Sequence, residues 1–284
     1  MIRITWRRLV ASLVAAVVLA VPAAASAGTA DYVALGDSYV AGPFIPPPIP
    51  PWGCLKSGSN YAHLAALKLS ISLADPSCSG AETGDMTASQ GVSPQPNPPQ
   101  FDSLQADTQD VTLGIGGNDI GFSSLAESCF SETPNAGSPC HDKYVANGDD
   151  QISDRISATG PKVADVIQGI HSRSPNARVF VVNYPAIFPD TGPGCWPLLP
   201  VADGDAAWLR DKEKELNQML ANEAAANGAT LIDWYTASIG HDACKPPGIK
   251  WVEAAIPMSG VTPVHPNLAG MLAASDLVVA AIRG

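Results

Sequence analysis

Apolar residues fall into short, nearly continuous runs, separated by longer stretches in which they recur every third or fourth position. Residues 31–35, 68–73, 110–115, 178–183 and 230–233 are rich in Val, Ile and Leu without strict polar alternation. That is the pattern of strands covered on both faces. Helical spacing marks residues 61–67, 150–171 and 206–226; in the last, Trp208, Leu209, Leu216, Met219 and Leu220 recur at helical intervals and Gly228 follows as a stop. Gly160-Pro161 predicts a break in the second of these helices. A final helix is expected from Pro266, suited to an early helical position, to Ile282. Strands alternating with helices predict an α/β fold with a parallel sheet of about five strands and right-handed crossovers. Functional groups then collect beyond the strands' carboxyl ends.

The N-terminus departs from this pattern. Arg3, Arg7 and Arg8 precede an apolar run over 9–21, and Ala25-Ser26-Ala27 offers a small-residue cleavage pattern. This is the layout of an export leader over residues 1–27, the run being short for a membrane span of about 20 residues. The remaining 28–284 suit a single domain, with a monomeric, secreted protein and no stable membrane insertion expected. Apolar residues make up 46 % of the chain, enough for a sizeable core. A net charge of −11 argues against a nucleic-acid partner, which requires a basic face. Six cysteines in an oxidising compartment favour disulfides. Spacing leaves the pairing open, the simplest choice being nearest neighbours: Cys54–Cys78, Cys129–Cys140 and Cys195–Cys244. No C-x-x-C or zinc-finger spacing points to a metal.

Residues 42–52 (GPFIPPPIPPW) and 94–101 are Pro-rich loops of restricted flexibility. Phe44, Ile45, Ile49 and Trp52 either lie on a surface loop or wall an apolar cleft near Ser38. Asp149-Asp150 reads as a solvated loop in preference to a cation site.

Three segments carry chemistry. Val33-Ala34-Leu35-Gly36-Asp37-Ser38-Tyr39 delivers a serine to a turn beyond a strand, where a following helix aims free N–H groups at negative charge. The plain alternative is that Asp37 or Ser38 merely caps that helix. Gly114-Ile115-Gly116-Gly117-Asn118-Asp119 ends a second strand, and an Asn amide can donate to an oxyanion; alternatively, it is a glycine-rich turn. Thr262-Pro263-Val264-His265-Pro266-Asn267 precedes the last helix; one of five histidines is a weak signal by itself. Together the three supply a hydroxyl, a base and oxyanion donors on one rim of one sheet, the set that ester hydrolysis through a covalent intermediate requires.

With these segments the chain resembles the GDSL, or SGNH, hydrolase family, especially its secreted bacterial lipase and esterase branch. The first block is GDSY instead of GDSL; Cys78-Ser79-Gly80-Ala81 matches the second; GGND supplies Asn118; HPN supplies His265. The blocks stand in the family's order across nearly the whole mature chain. The resemblance implies a flavodoxin-like three-layer α/β/α sandwich and a carboxylic ester hydrolase needing no cofactor or metal. Ser38 and His265 are its catalytic pair, Gly80 and Asn118 its oxyanion donors, and a small-molecule or lipid ester its substrate. Three consecutive disulfides are also similar to that branch.

One position departs from the family. Where most members carry Asp three residues before the histidine, this chain has Thr262. The Thr262 carbonyl is expected to accept the imidazole N–H, since a neutral acceptor still fixes the tautomer. The other possibilities are a remote carboxylate, Asp242 or Glu253, or an impaired enzyme. Three rivals differ in features of the chain. An α/β-hydrolase would need G-x-S-x-G, which is missing. A carbohydrate acetylesterase on the same fold would favour a polar cleft. A non-catalytic binding protein would be expected to lose Ser38, Asn118 or His265.

Overall fold

The computed structural model describes residues 30–257 and 259–284; the expected leader over 1–27 lies outside the described residues. In chain order the strands are β1 (Tyr32–Gly36), β2 (Leu73–Ala74), β3 (Asp110–Gly114), β4 (Val145–Ala146), β5 (Asp149–Asp150), β6 (Arg178–Val182) and β7 (Thr230–Ile232). The helices are α1 (Ser38–Ala41), α2 (Tyr61–Leu69), α3 (Phe122–Ser128), α4 (Pro139–Tyr144), α5 (Gln151–Arg173), α6 (Asp203–Ala226), α7 (Trp234–Ala237) and α8 (Leu268–Arg283). The main sheet runs β2-β1-β3-β6-β7, parallel throughout, and β4-β5 is a separate antiparallel pair. This is the flavodoxin-like order, whose switch point lies between β1 and β3.

Side chains alternate across each strand, so the buried runs feed two cores. Val33, Leu35, Val111, Leu113, Val179 and Val181 pack under α5 and α6. Tyr32, Ala34, Phe180, Val182 and Ile232 pack under α2 and α8. The result is the expected three-layer α/β/α sandwich. The three disulfides pair as expected, Cys54–Cys78, Cys129–Cys140 and Cys195–Cys244.

The structure corrects three element boundaries. Of the strand expected over 68–73, Lys68 and Leu69 close α2, where Lys68 bonds Ser275 and Asp276 of α8; Ser70 is the left-handed cap, and only Leu73–Ala74 pair with β1. Second, α5 runs unbroken through Pro161. An interior proline costs about 3 kcal/mol, whereas α5 buries Ile156, Val163, Val166, Ile167 and Ile170, each contributing about 1.5–3 kcal/mol. The carbonyl of Ser157, which Pro161 cannot serve, sits on an exposed residue, and the bare Gly160 Cα faces Glu223 and Met219 of α6. Packing therefore wins. Third, α8 starts at Leu268: Asn267 is its N-cap, accepting from the Gly270 N–H at 3.1 Å, and Pro266 lies just outside.

Candidate active site

The site forms where β1 and β3 end side by side. Gly36 pairs with Gly114, and a Cβ on Gly36 would stand 2.3 Å from the Gly114 carbonyl oxygen, so the two strands can close only with glycine there. The next N–H, of Asp37, donates to that carbonyl at 3.0 Å. Asp37 then caps α1, accepting from the Tyr39 N–H at 2.8 Å. This puts Ser38 first in the helix. Its own N–H has no acceptor among the described residues, as geometry requires of a helix start.

Asp37 is buried, and its other oxygen accepts from the Tyr184 hydroxyl at 2.6 Å. That hydroxyl in turn accepts from the Gly117 N–H at 2.8 Å. A Cβ on Gly117 would crowd the same hydroxyl at 3.0 Å, so any larger residue would push Tyr184 back by a few tenths of an ångström. Burial pushes the Asp37 carboxyl up to about 7, against the opposing bonds from Tyr184 and Tyr39.

His265 arrives from the far end of the chain. Its Nε2 lies 2.7 Å from Ser38 Oγ, and its Nδ1 lies 2.8 Å from the carbonyl oxygen of Pro263. A carbonyl can only accept, so Nδ1 carries the proton and Nε2 is left to accept from the serine. Burial holds the imidazole below its ordinary pKa, with the Pro263 bond pulling the other way. The expectation of a backbone acceptor holds in kind but not in position. Thr262 is one residue too early, and its buried hydroxyl has no hydrogen-bond partner among the described residues. The reason is local: Val264 takes a left-handed conformation, φ +59°, and the turn brings the Pro263 carbonyl back to the imidazole.

Neither remote carboxylate replaces it. Asp242 accepts from the Cys244 N–H and faces Lys245, and Glu253 pairs with Lys250 at 2.6 Å and accepts from Asn267. Among the described residues no carboxylate hydrogen-bonds His265. The histidine segment is pinned instead through its backbone: Glu253 N–H donates to the His265 carbonyl at 2.9 Å and Asn267 N–H to that of Trp251 at 2.8 Å.

The two other expected residues sit on adjoining loops. Cys78 N–H donates to the Gly36 carbonyl at 3.0 Å, drawing the turn with Gly80 against the end of β1. Gly80 has φ +82°, and its N–H has no acceptor among the described residues. Asn118 donates from Nδ2 to the Ala81 carbonyl at 2.9 Å, which leaves its second N–H available. Asp119 accepts from the Thr83 N–H and hydroxyl, so the two loops are joined twice.

Ser38, Asn118 and His265 open onto a cavity whose walls are Ile120, Phe122 and Leu125 with Ile187, Phe188, Leu209 and Leu216. None of Phe44, Ile45, Ile49 or Trp52 lines it. Ile45 is buried in the core under α2 and α8, and Phe44 and Trp52 are exposed, so of the two readings of the Pro-rich loop the structure fits the surface loop and not the cleft wall. Asp150 is no free acid either: it caps α5, accepts from Trp208 and pairs with Lys212 at 2.8 Å. The sequence reading missed the cavity walls together with Tyr39, Tyr184 and Glu213. One available signal was Tyr184-Pro185-Ala186-Ile187-Phe188, an apolar run directly beyond the end of β6, where such folds build their crevice.

Comparison with known proteins agrees with this geometry. The profile of the GDSL-like Lipase/Acylhydrolase family matches residues 34–273. Lipase 2 of Streptomyces coelicolor is 40 % identical over 250 residues, which cover 85 % of this chain and 82 % of that protein. Two solved structures superpose over most of the chain. The extracellular lipase of Streptomyces rimosus has a TM-score of 0.73 at 26 % identity, covering 89 % of this chain and 99 % of that one. Phospholipase A1 of Streptomyces albidoflavus NA297 has a TM-score of 0.72 at 25 % identity, covering 90 % and 100 %. With the serine, the asparagine and the histidine meeting at one cavity on this fold, the chain belongs to the GDSL-like lipase/acylhydrolase family.

Proposed function

We propose that this GDSL-family ester hydrolase is an exported enzyme acting on acyl esters, lipid esters among them, through a covalent intermediate on Ser38. The observation that carries this reading is the 2.7 Å contact between Ser38 Oγ and the unprotonated nitrogen of His265. Ser38 attacks the ester carbonyl as His265 takes its proton. The oxyanion is held by the N–H groups of Ser38 and Gly80 and by the free N–H of Asn118. His265 returns the proton to the leaving alcohol, then activates a water that frees the acyl group and restores the serine. The imidazolium formed in each half-reaction is steadied through Nδ1 by the Pro263 carbonyl in place of a carboxylate.

The apolar cavity supports an acyl chain as the group bound beside Ser38; a polar sugar would leave those walls unsatisfied. Export rests on the basic and apolar leader over 1–27 and on three disulfides. Hydrolysis of p-nitrophenyl esters, phosphatidylcholine and an acetylated sugar by the wild type and Ser38→Ala tests the proposal. Turnover of the acyl esters should vanish in the variant. Residual activity above a few per cent would remove Ser38 from its role, and preference for the sugar ester would reassign the substrate.

A further inference from the structure

Among the polar groups of the cavity beside Ser38 and His265 that the ester mechanism does not use, Ser123 is exposed and Lys212 is paired with Asp150 and Glu215, whereas Glu213 is buried with an unpartnered oxygen. Glu213, on α6, lies among Ile187, Phe188, Leu209 and Leu216, and the residue is 8 % exposed. One carboxyl oxygen is fixed, accepting from the Ile187 N–H at 2.8 Å. The other, Oε2, is buried and has no hydrogen-bond partner among the described residues.

No cation is bonded to it. Arg210 donates to the carbonyls of Pro189 and Gly192, Lys212 is paired with Asp150 and Glu215, and Lys214 is paired with Asp190. Burial accordingly pushes the carboxyl up to about 8, with the Ile187 and Phe188 amides, Arg210 and Lys214 pulling the other way. At neutral pH the group is a carboxylic acid. Oε1 is engaged as an acceptor, so the proton belongs on Oε2, which then has an O–H and nothing to give it to. A buried donor without an acceptor is costly, and a purely apolar tunnel would have had no reason to contain one.

We infer that Glu213 donates a hydrogen bond to the acyl chain of the substrate, and that the cavity selects acyl groups carrying an oxygen part-way along the chain, as in hydroxyacyl esters. This rests on the ester-hydrolase reading of the same site and names its substrate class. A hydroxyl in a wholly apolar cavity would lose its water hydrogen bonds and slow turnover; opposite Glu213 it regains one.

The test compares p-nitrophenyl dodecanoate with the esters of its positional monohydroxy isomers, using wild type, Glu213→Gln and Glu213→Met. Wild type should favour one hydroxy isomer over the plain chain by about 5–10-fold in kcat/KM, the worth of one neutral hydrogen bond. Glu213→Gln keeps an acceptor for Ile187 and a donor for the chain, so the preference should persist. Glu213→Met should bring the ratio to one or below. Turnover of the plain ester with no favoured isomer in wild type would overturn this inference alone, without relying on how any variant folds. A preference that survives in Glu213→Met would also overturn it. No turnover of any ester would overturn the ester reading and this inference with it.

Discussion

The ring of Tyr39 lies 4.8 Å from the imidazole of His265, centroid to centroid, and its hydroxyl donates to the carbonyl of Val264 at 2.6 Å. Tyr39 follows Ser38 in the chain, so a single turn of backbone positions the serine and braces the loop that brings the histidine. Val264 is β-branched and left-handed, a conformation that persists only when its surroundings hold it. Tyr39→Phe keeps the ring and removes the brace. The expected result is a fall in kcat of about 5–10-fold, the worth of one hydrogen bond, with little change in KM. Steady-state kinetics check it, and a loss confined to KM would move Tyr39 from positioning the base to binding the substrate.

Asn118→Ala removes both the free amide N–H and the bond to Ala81. Turnover should drop by about 10²–10³. A variant that changed only the Michaelis constant would make Asn118 a ground-state contact instead of an oxyanion donor. Thr262→Ala, by contrast, should stay within about twofold of wild type, because that hydroxyl bonds nothing and the imidazole acceptor is one residue further on.

The pH–rate profile should show an early acid limb. The proposed base works in its neutral form, and burial lowers the pKa of His265. The imidazole therefore remains unprotonated at a pH where a solvent-exposed histidine is already charged. The limb of kcat/KM is expected below the ordinary value of about 6.5. A limb at or above that value would contradict the buried site.

Two buried carboxyls should contribute less to stability as pH rises, the reverse of the usual carboxylate trend. Asp37 and Glu213 have folded-state pKa values raised to about 7 and about 8. At these two sites the folded chain holds more protons than the unfolded chain between roughly pH 4 and pH 8, so the stability they contribute is lost across that window on going up, while the lowered pKa of His265 acts in the opposite sense. Glu213→Gln deletes one of these groups. Its urea midpoint should decline less than that of wild type between about pH 5 and pH 9. Parallel declines would assign the slope to other residues.

The parts of the site legible in the sequence are those whose residues are contiguous. GDSY, GGND and HPN are each a strand end or a helix start, and local chain chemistry determines both. The cavity walls were hidden because they converge from α3, the loop after β6 and α6, distant in sequence and joined only by the sheet. Apolarity alone left the Pro-rich loop open between surface and cleft: Phe44 and Trp52 are apolar yet exposed, while Ile45 serves a different core. The imidazole acceptor was missed by one residue because which carbonyl turns inward depends on the left-handed torsion at Val264, which its side chain does not advertise. Helix α5 kept its proline because burial along its whole length outweighed a local break.

The oxygen that Pro263 offers to His265 belongs to the peptide chain, and every amino acid carries one. A mutation at 263 can alter the path of the loop but cannot delete that oxygen, whereas an orienting aspartate is lost by a single codon change. This requirement of the proposed base therefore lies in the shape of the loop and not in the identity of residue 263.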